Sequence, residues 1–229
     1  MTKANTAKRK KESKMSLSYK NRTKGIASNI KYFTQKEIHA LLSVLSRSTM
    51  EKGQDPLKLT ARRVQDKTLF ILGLDLGARV SEVDGLHWEQ VDFEKKVINI
   101  YDEKKDVWRV CTISQPTWAL LKTYSEMVDK RIEKKVFPFG YKTMNRRIKE
   151  WADLAGVKRI DENGKDKIVW HMLRHTHVVQ ARRAGRDWDV IAQQTGDKVA
   201  TLIQEYSKLS LEDRQKVQDE MPIFKEEGT

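Results

Sequence analysis

Three histidines and an arginine lie within seven positions at residues 171–177, HMLRHTH. Imidazole and guanidinium groups at this density are typical of a zinc site, of a helix packed through histidine hydrogen bonds, or of a site that binds phosphate. His171 and His175 have the spacing of two ligands on one helical face, but a metalloprotease helix needs a glutamate directly after the first histidine, and Met172 stands there. The sequence therefore predicts no metal site, and the rest of the chain must decide between packing and phosphate binding.

Candidate phosphate-binding and nucleophilic residues occur elsewhere in the chain. The segment GARVSE places Arg79 just past a predicted helix end, with Glu82 three residues later. An arginine guanidinium can bind two phosphate oxygens at once. Tyr206 follows Asp197 by nine residues and could act as a nucleophile once a basic group takes its proton. These residues favour a phosphate site.

Three segments, in this order along the chain, resemble the catalytic domain of the tyrosine recombinases, the family of phage integrases, Xer-type recombinases and fimbrial switch invertases. GARVSEVDGLHWEQVDF resembles the family's first arginine segment, with Arg79 as its arginine. HMLRHTHV resembles the second, with His171 and Arg174, and TGDKVATLIQEY resembles the last, with Tyr206 in the nucleophile position. The resemblance covers roughly residues 34–224, and the short architecture is similar to that of the fimbrial switch invertases.

The resemblance implies a catalytic set of Arg79, Lys104, His171, Arg174 and Tyr206. Tyr206 would attack a DNA backbone phosphate and form a 3′-phosphotyrosyl ester, while the two arginines stabilise charge on the non-bridging oxygens. His171 would donate to the phosphate or accept the tyrosine proton, and Lys104, in a hairpin turn, would protonate the leaving 5′ oxygen. Because the ester retains the bond energy, the reaction implies no ATP, no metal and no other cofactor.

Several residues near this set are expected to support it. Lys105 adjoins Lys104 and is the alternative choice for the acid, whereas Glu82 is expected to hold Arg79 in place. The supporting candidates are Glu82, Lys105, His175, Asp197 and Lys198.

Asp197 is a departure from the family pattern, which usually has histidine or tryptophan after the glycine of the last segment. An ionised aspartate cannot donate a hydrogen bond to a phosphate oxygen. Either Asp197 supports an arginine, or His175, His177 or Lys198 supplies the missing donor.

The charge distribution indicates a nucleic-acid partner. The chain has 45 Lys+Arg against 32 Asp+Glu, a formal net charge of +13. Residues 1–31 hold ten of the basic residues and one acidic residue. Since residues 1–30 lack apolar periodicity, they are predicted to be a flexible basic arm, with a plain solubility tail as the alternative. The arm residues expected to bind DNA are Lys8, Arg9, Lys10, Lys11, Lys14, Lys20, Arg22 and Lys24.

The apolar pattern predicts one domain, because 229 residues with 38% hydrophobic content can bury one ordinary core. A catalytic domain is expected over 31–229, including a C-terminal helix and tail. Two β-branched runs around the charged stretch 102–106 predict an antiparallel hairpin. Helices are predicted from a capping box at Thr34–Glu37 onward and at about 60–77, 116–134, 142–155, 172–184, 187–194 and 211–220, with a turn at 161–164. The expected fold class is mainly α with a small antiparallel β-sheet, the α+β fold of the tyrosine-recombinase catalytic domain.

Membrane and secretory classes are not predicted. No apolar run reaches the roughly 18 residues of a membrane span, and no apolar segment follows the N-terminal basic residues as in a signal peptide. The single cysteine, Cys111, excludes an internal disulfide. A cytoplasmic location is expected, nucleoid-associated if the protein is prokaryotic or viral.

The resulting hypothesis is a site-specific recombinase that acts on double-stranded DNA, for integration, excision or inversion of a mobile element or segment. In the family the C-terminal end docks on a neighbouring protomer, which implies a homo-oligomer, a tetramer on DNA. Two alternatives stay open: an architectural or regulatory DNA-binding protein on the same scaffold, and relaxation of supercoils as in type IB topoisomerases.

Overall fold

The structure, a computed structural model, describes residues 31–47, 55–160 and 167–206. These residues fall into two units: residues 31–199 form one, and residues 200–206 belong to the other. Within the described ranges, no helix combines the length and the apolar character that crossing a membrane requires.

Most of the described residues are helical, and one small sheet accompanies the helices. The helices are α1 (Gln35–Arg47), α2 (Pro56–Leu76), α3 (Val80–Asp84), α4 (Gln115–Glu126), α5 (Tyr141–Leu154), α6 (His171–Arg183), α7 (Trp188–Thr195) and α8 (Val199–Tyr206), with a 3₁₀ turn at Trp88–Gln90. The strands are β1 (Val91–Asp92), β2 (Val97–Asp102) and β3 (Val107–Cys111). The predicted fold class, mainly α with a small antiparallel sheet, is confirmed.

Local side-chain chemistry fixes where the first two helices begin. At α1, Thr34 Oγ1 accepts from the Glu37 N–H at 3.3 Å and Glu37 Oε2 accepts from the Thr34 N–H at 2.8 Å, so the predicted capping box is confirmed. At α2, Asp55 accepts from the Leu57 N–H at 2.9 Å, and Pro56 stands at the first helical position. Helix α2 therefore begins before the predicted start at about residue 60.

The core of the larger unit lies along α2, which packs against α1, α4 and α6. Leu69, Phe70 and Leu72 of α2 are fully buried. The Phe70 ring makes edge contacts with Phe33 and Trp151, at centroid distances of 6.5 and 6.2 Å. Burying a side chain of this kind stabilises the fold by about 1.5–3 kcal/mol. This packing fixes the place of α6, which carries the histidine-rich segment.

The sheet has β2 in its centre, between β1 and β3. Strand β2 pairs antiparallel with β3 in a register that places Ile100 opposite Arg109 and Asp102 opposite Val107. Asp106, in the connecting turn, has a φ of 54°, a conformation that aspartate tolerates better than most residues. The predicted hairpin is confirmed, and the short strand β1 adds to it.

Helix α4 is shorter than predicted, because it ends at Glu126 and does not continue to residue 134. The backbone that follows pairs with a distant part of the chain. The Trp88 N–H donates to Lys134 O at 2.9 Å, and the Val136 N–H donates to Leu86 O at 2.9 Å. Long-range pairing of this kind overrides local helical propensity.

The other helix predictions differ in how far the structure tests them. Helices α5, α6 and α7 begin and end within one residue of their predicted bounds. Helix α8 was not predicted, since its eight residues are too few for a clear apolar period. The basic arm at 1–30, the turn at 161–164 and the helix at 211–220 lie outside the described residues.

Gly77→Ala is expected to destabilise the protein. Gly77 ends α2 with a φ of 58°, and a Cβ there would lie 2.7 Å from the His177 ring. Left-handed backbone costs a non-glycine residue about 1–2 kcal/mol, and overpacking costs about 1–3 kcal/mol more. We expect urea denaturation to give a free energy of unfolding lower by about 2–4 kcal/mol.

Gly185→Ala is the matched control for this measurement. Gly185 has a φ of 77°, but apart from its chain neighbours no atom of the described residues lies within 4 Å of a Cβ built there. Only the backbone cost of about 1–2 kcal/mol is expected. Equal losses in the two variants would contradict the steric role of the His177 contact.

Candidate active site

Arg79 is the N-cap residue directly before helix α3 and is held through both its backbone and its side chain. Its N–H donates to Glu82 Oε2 at 2.7 Å, within the first turn of the helix. Its Nη1 donates to Glu82 Oε1 at 3.1 Å and to Asp102 Oδ2 at 2.8 Å, and its Nη2 donates to Asp197 Oδ1 at 3.0 Å. Carboxylates from three separate parts of the chain therefore orient one guanidinium group.

Arg174 lies on α6 and reaches the same aspartate. Its side chain is 3% exposed, and its Nη1 donates to Gly77 O at 2.7 Å. Its Nη2 lies 2.5 Å from Asp197 Oδ2, an ion pair whose angle is not that of a hydrogen bond. Asp197 thus contacts both arginines, one with each oxygen.

A third arginine, Arg109 on β3, joins the same network. Its Nη1 and Nη2 donate to Glu82 Oε1 and Oε2, each at 2.8 Å, and its Nε donates to Gln194 O at 3.2 Å. Glu82 is 7% exposed, so guanidinium groups and not water balance its charge. Arg109 was not predicted from the sequence. Strand alternation was the available signal, because it places Arg109 on the same face as the buried Cys111.

The hairpin turn brings two lysines beside this network. Asp102 ends β2 and accepts from the Lys104 N–H at 3.2 Å. Although burial raises the pKa of the Asp102 carboxyl, its hydrogen bond and ion pair with Arg79 outweigh burial and hold that pKa below its ordinary value. Both Lys104 and Lys105 are exposed. The Lys105 Nζ donates to Gly196 O and lies 3.9 Å from Asp102 Oδ2. Lys105 therefore contacts the residue directly before Asp197.

Two imidazoles of the histidine-rich segment lie against each other on α6. The rings of His171 and His175 are in edge contact, with their centroids 4.3 Å apart. Burial, and then the neighbouring His171 and Arg174, lower the pKa of His175 to about 4. Burial and then Arg174 also lower the pKa of His171 below its ordinary value. Both rings are therefore neutral at pH 7, and a neutral imidazole can accept a proton.

His177 has a different environment from the other two histidines. Its Nδ1 lies 2.9 Å from Leu74 O, its ring packs against Gly77, and burial lowers its pKa. These contacts fit a structural role. Lys198, beside Asp197, is exposed. Among the described residues, no three His, Cys, Asp or Glu side chains are grouped as metal ligands.

Tyr206 is the last residue of α8, and it belongs to the smaller of the two units. The role of Tyr206 as nucleophile therefore stays a prediction from the sequence. The predicted DNA-binding residues of the arm lie outside the described part of the chain.

Comparison with known proteins identifies relatives of this chain. The sequence profile described as the Phage integrase family matches residues 31–212. Tyrosine recombinase XerA of Saccharolobus solfataricus is 26% identical over 152 residues, which are 66% of this chain and 48% of that protein. XerA of Thermococcus onnurineus is 26% identical over 203 residues, 85% of this chain and 64% of that protein. The chain thus spans 48% and 64% of the length of these two relatives.

Solved structures share the fold of this chain. A crystal structure of XerA recombinase matches with a TM-score of 0.65 at 21% identity, over 85% of this chain and 64% of that one. XerH recombinase bound to its difH substrate matches with a TM-score of 0.61 at 17% identity, over 82% of this chain and 53% of that one. The catalytic domain of bacteriophage HP1 integrase matches with a TM-score of 0.55 at 17% identity, over 85% of this chain and 96% of that one. These likenesses confirm the predicted fold.

Acidification is expected to destabilise the protein through His175. Its pKa falls from an ordinary 6.5 to about 4 in the folded chain, so the unfolded chain takes up a proton first as the pH falls. The stabilisation is complete above pH 6.5 and is lost as the pH approaches 4. Between about pH 7 and pH 5 we expect this group to account for a loss of about 1–2 kcal/mol in the free energy of unfolding. Urea denaturation at both pH values measures it.

His175→Gln should show a smaller loss over the same pH interval, because glutamine does not titrate there. His39→Gln, which changes an exposed imidazole on α1, is the matched control. The prediction is wrong if both variants lose as much stability as the original chain.

Proposed function

Because the chain belongs to the phage integrase family, we propose that it is a site-specific DNA recombinase that cleaves and rejoins strands through a 3′-phosphotyrosyl ester at Tyr206. The observation that carries this proposal is the pair of guanidinium groups that meet at one small anion. Arg79 Nη2 and Arg174 Nη2 lie 3.0 and 2.5 Å from the two oxygens of the Asp197 carboxylate. The same two nitrogens suit the two non-bridging oxygens of a phosphodiester.

The fixed position of the arginines matters for catalysis. Transfer of a phosphoryl group to a phenol gathers negative charge on the non-bridging oxygens in the transition state. Donors that are already oriented stabilise that charge without a reorganisation cost. Arg79 is oriented by Glu82 and Asp102, and Arg174 by Gly77 O.

The proposed chemistry balances its protons within the protein. The Tyr206 oxygen attacks phosphorus, the bond from phosphorus to the 5′ oxygen breaks, and the tyrosine proton passes to the neutral His171. A lysine of the hairpin turn gives a proton to the leaving 5′ oxygen. Rejoining reverses both transfers, and the ester keeps the bond energy that the reverse reaction needs.

The acid at the hairpin turn is either Lys104, the first choice from the sequence, or Lys105. The contacts favour Lys105. Its Nζ reaches Gly196 O, next to the aspartate that both arginines contact, and Asp102 Oδ2 lies 3.9 Å away. A lysine held there is close to the position proposed for the phosphate.

Double-stranded DNA with a defined site is the proposed partner. The net charge of +13 favours phosphate binding, and the ten basic residues of 1–31 would add contacts that weaken with salt. Among the structural neighbours, XerH was solved with its difH substrate and Tn1549 transposon integrase with a circular intermediate DNA. The location proposed with this role is cytoplasmic, and nucleoid-associated if the protein is prokaryotic or viral.

The DNA-bound state is proposed to be a tetramer in which protomers exchange their C-terminal segments. A groove of about 650 Å³ on the larger unit could accept such a segment. The C-terminal residues beyond 206 provide apolar side chains for it. Those side chains are Leu209, Met221, Ile223 and Phe224, and the groove is lined in part by Leu74, Val110, Ala181 and Ile191.

Tyr206→Phe is expected to abolish a covalent protein–DNA adduct. The protein would be incubated in EDTA with DNA that flanks its own gene, including a nicked form that prevents rejoining, and quenched with detergent before electrophoresis. Phenylalanine lacks the attacking oxygen, so no ester can form. Tyr141→Phe, at an exposed tyrosine on α5, should leave the adduct unchanged.

The other outcomes separate the competing functions. Salt-sensitive DNA binding without any adduct, even on nicked DNA, would contradict the proposal and favour an architectural or regulatory DNA-binding protein. Relaxation of plasmids that lack a target site would favour a topoisomerase.

Lys105→Ala is expected to slow single-turnover cleavage more than Lys104→Ala. A general acid contributes about 10²–10⁴-fold, so we expect a loss of about 10²-fold or more for Lys105→Ala and of about tenfold or less for Lys104→Ala. A substrate with sulfur in place of the bridging 5′ oxygen should restore Lys105→Ala, since a thiolate leaves without a proton. A larger loss in Lys104→Ala, with the same rescue, would assign the acid to Lys104.

A further inference from the structure

Asp197 lies between the two arginines as a phosphate group would. Its Oδ1 accepts from Arg79 Nη2 at 3.0 Å, and its Oδ2 lies 2.5 Å from Arg174 Nη2. One carboxylate therefore engages one terminal nitrogen of each guanidinium. Two non-bridging oxygens of a phosphodiester would need the same two nitrogens.

Access to Arg174 depends on where the Asp197 carboxylate is. The Arg174 side chain is 3% exposed, and its Nη2 is buried. Its Nη1 is already bound to Gly77 O. A DNA phosphate can contact Nη2 only after the carboxylate 2.5 Å away from it has moved.

The carboxylate can move while its backbone stays in place. Gly196, the preceding residue, is fixed on both sides: its O accepts from Lys105 Nζ, and its N–H donates to Ala192 O at 2.7 Å. The Asp197 side chain is 18% exposed, so one face of it is open to solvent. Rotation about its Cα–Cβ bond would exchange the two arginine contacts for water.

We infer that Asp197 is a positioning residue that holds Arg79 and Arg174 at phosphate spacing in the free protein, and that the DNA phosphate displaces its carboxylate. This inference rests on the function proposed above. A carboxylate and a phosphate that compete for the same guanidinium groups lower the affinity of the site for any phosphate. The site therefore opens for DNA whose other contacts supply the binding free energy. This competition would be the role of Asp197, at a position where the family usually has a histidine or tryptophan that donates a hydrogen bond.

The test is the affinity of the full-length protein for inorganic phosphate, measured by calorimetric titration at constant ionic strength. Asp197→Asn keeps the shape of the side chain and removes its charge. We expect it to bind phosphate at least about tenfold more tightly than the original chain, because a like charge at a few ångströms is lost. Asp197→Glu retains the charge and should keep the weak affinity.

Two controls separate local competition from other effects. Asp189→Asn, at an exposed aspartate on α7, changes the net charge equally and should leave phosphate affinity unchanged. Arg174→Gln combined with Asp197→Asn should remove the gain. Circular dichroism checks that each variant folds, and Asp197→Ser replaces the asparagine variant if that one does not.

Three results would overturn the inference: equal affinity in Asp197→Asn and the original chain, an equal gain in Asp189→Asn, or a gain that survives Arg174→Gln. The adduct assay at Tyr206 reports separately on the proposed function. If Asp197→Asn binds phosphate more tightly but no adduct forms, the displacement of Asp197 is supported and the recombinase function is contradicted. If an adduct forms but phosphate affinity does not rise, the recombinase function is supported and the displacement of Asp197 is contradicted.

Discussion

The buried carboxylate of Glu82 is the interaction on which the candidate site depends. It accepts two hydrogen bonds from Arg109, each at 2.8 Å, and two from Arg79, through the backbone and the guanidinium group. Removing one partner of a buried pair costs about 3–5 kcal/mol, because the remaining charge is left without compensation. Glu82 therefore joins the strand that carries Arg109 to the helix that Arg79 begins, and it fixes the direction in which the Arg79 guanidinium points.

Three carboxylates offset the positive charge of three arginines in this region of the folded chain. Its three guanidinium groups, on Arg79, Arg109 and Arg174, face three carboxylates, on Glu82, Asp102 and Asp197. Without these carboxylates the neighbouring arginines would repel each other, and the charge of the buried Arg174 would lack compensation. The carboxylates thus make it possible for Arg79 and Arg174 to lie close together in the folded chain.

The sequence predicted those parts of the structure that local chemistry controls. Thr34 and Glu37 form the expected capping box, the two β-branched runs form the expected hairpin, and α6 lies within one residue of its predicted bounds. Helix α4 was predicted too long, because the backbone at Lys134 pairs with Trp88, far away in sequence. Arg109 was missed for a similar reason. Strand alternation places Arg109 on the face of the buried Cys111, but its contact with Glu82 depends on the fold and is contained in no local pattern.

On the proposed function, replacing the Asp197 carboxylate by a phosphodiester exchanges one negative charge for another. The charge that acts on His171 is therefore similar before and after DNA binds, and Arg174, which lowers the pKa of that ring, keeps an anionic partner. In the transition state more negative charge lies on the non-bridging oxygens than in the bound state. Fixed guanidinium groups stabilise that charge without having to reorient. A lysine of the hairpin turn neutralises the leaving oxygen by giving it a proton. Charge in the site is thus redistributed only during the chemical step, which is where stabilisation accelerates a reaction and does not merely tighten binding.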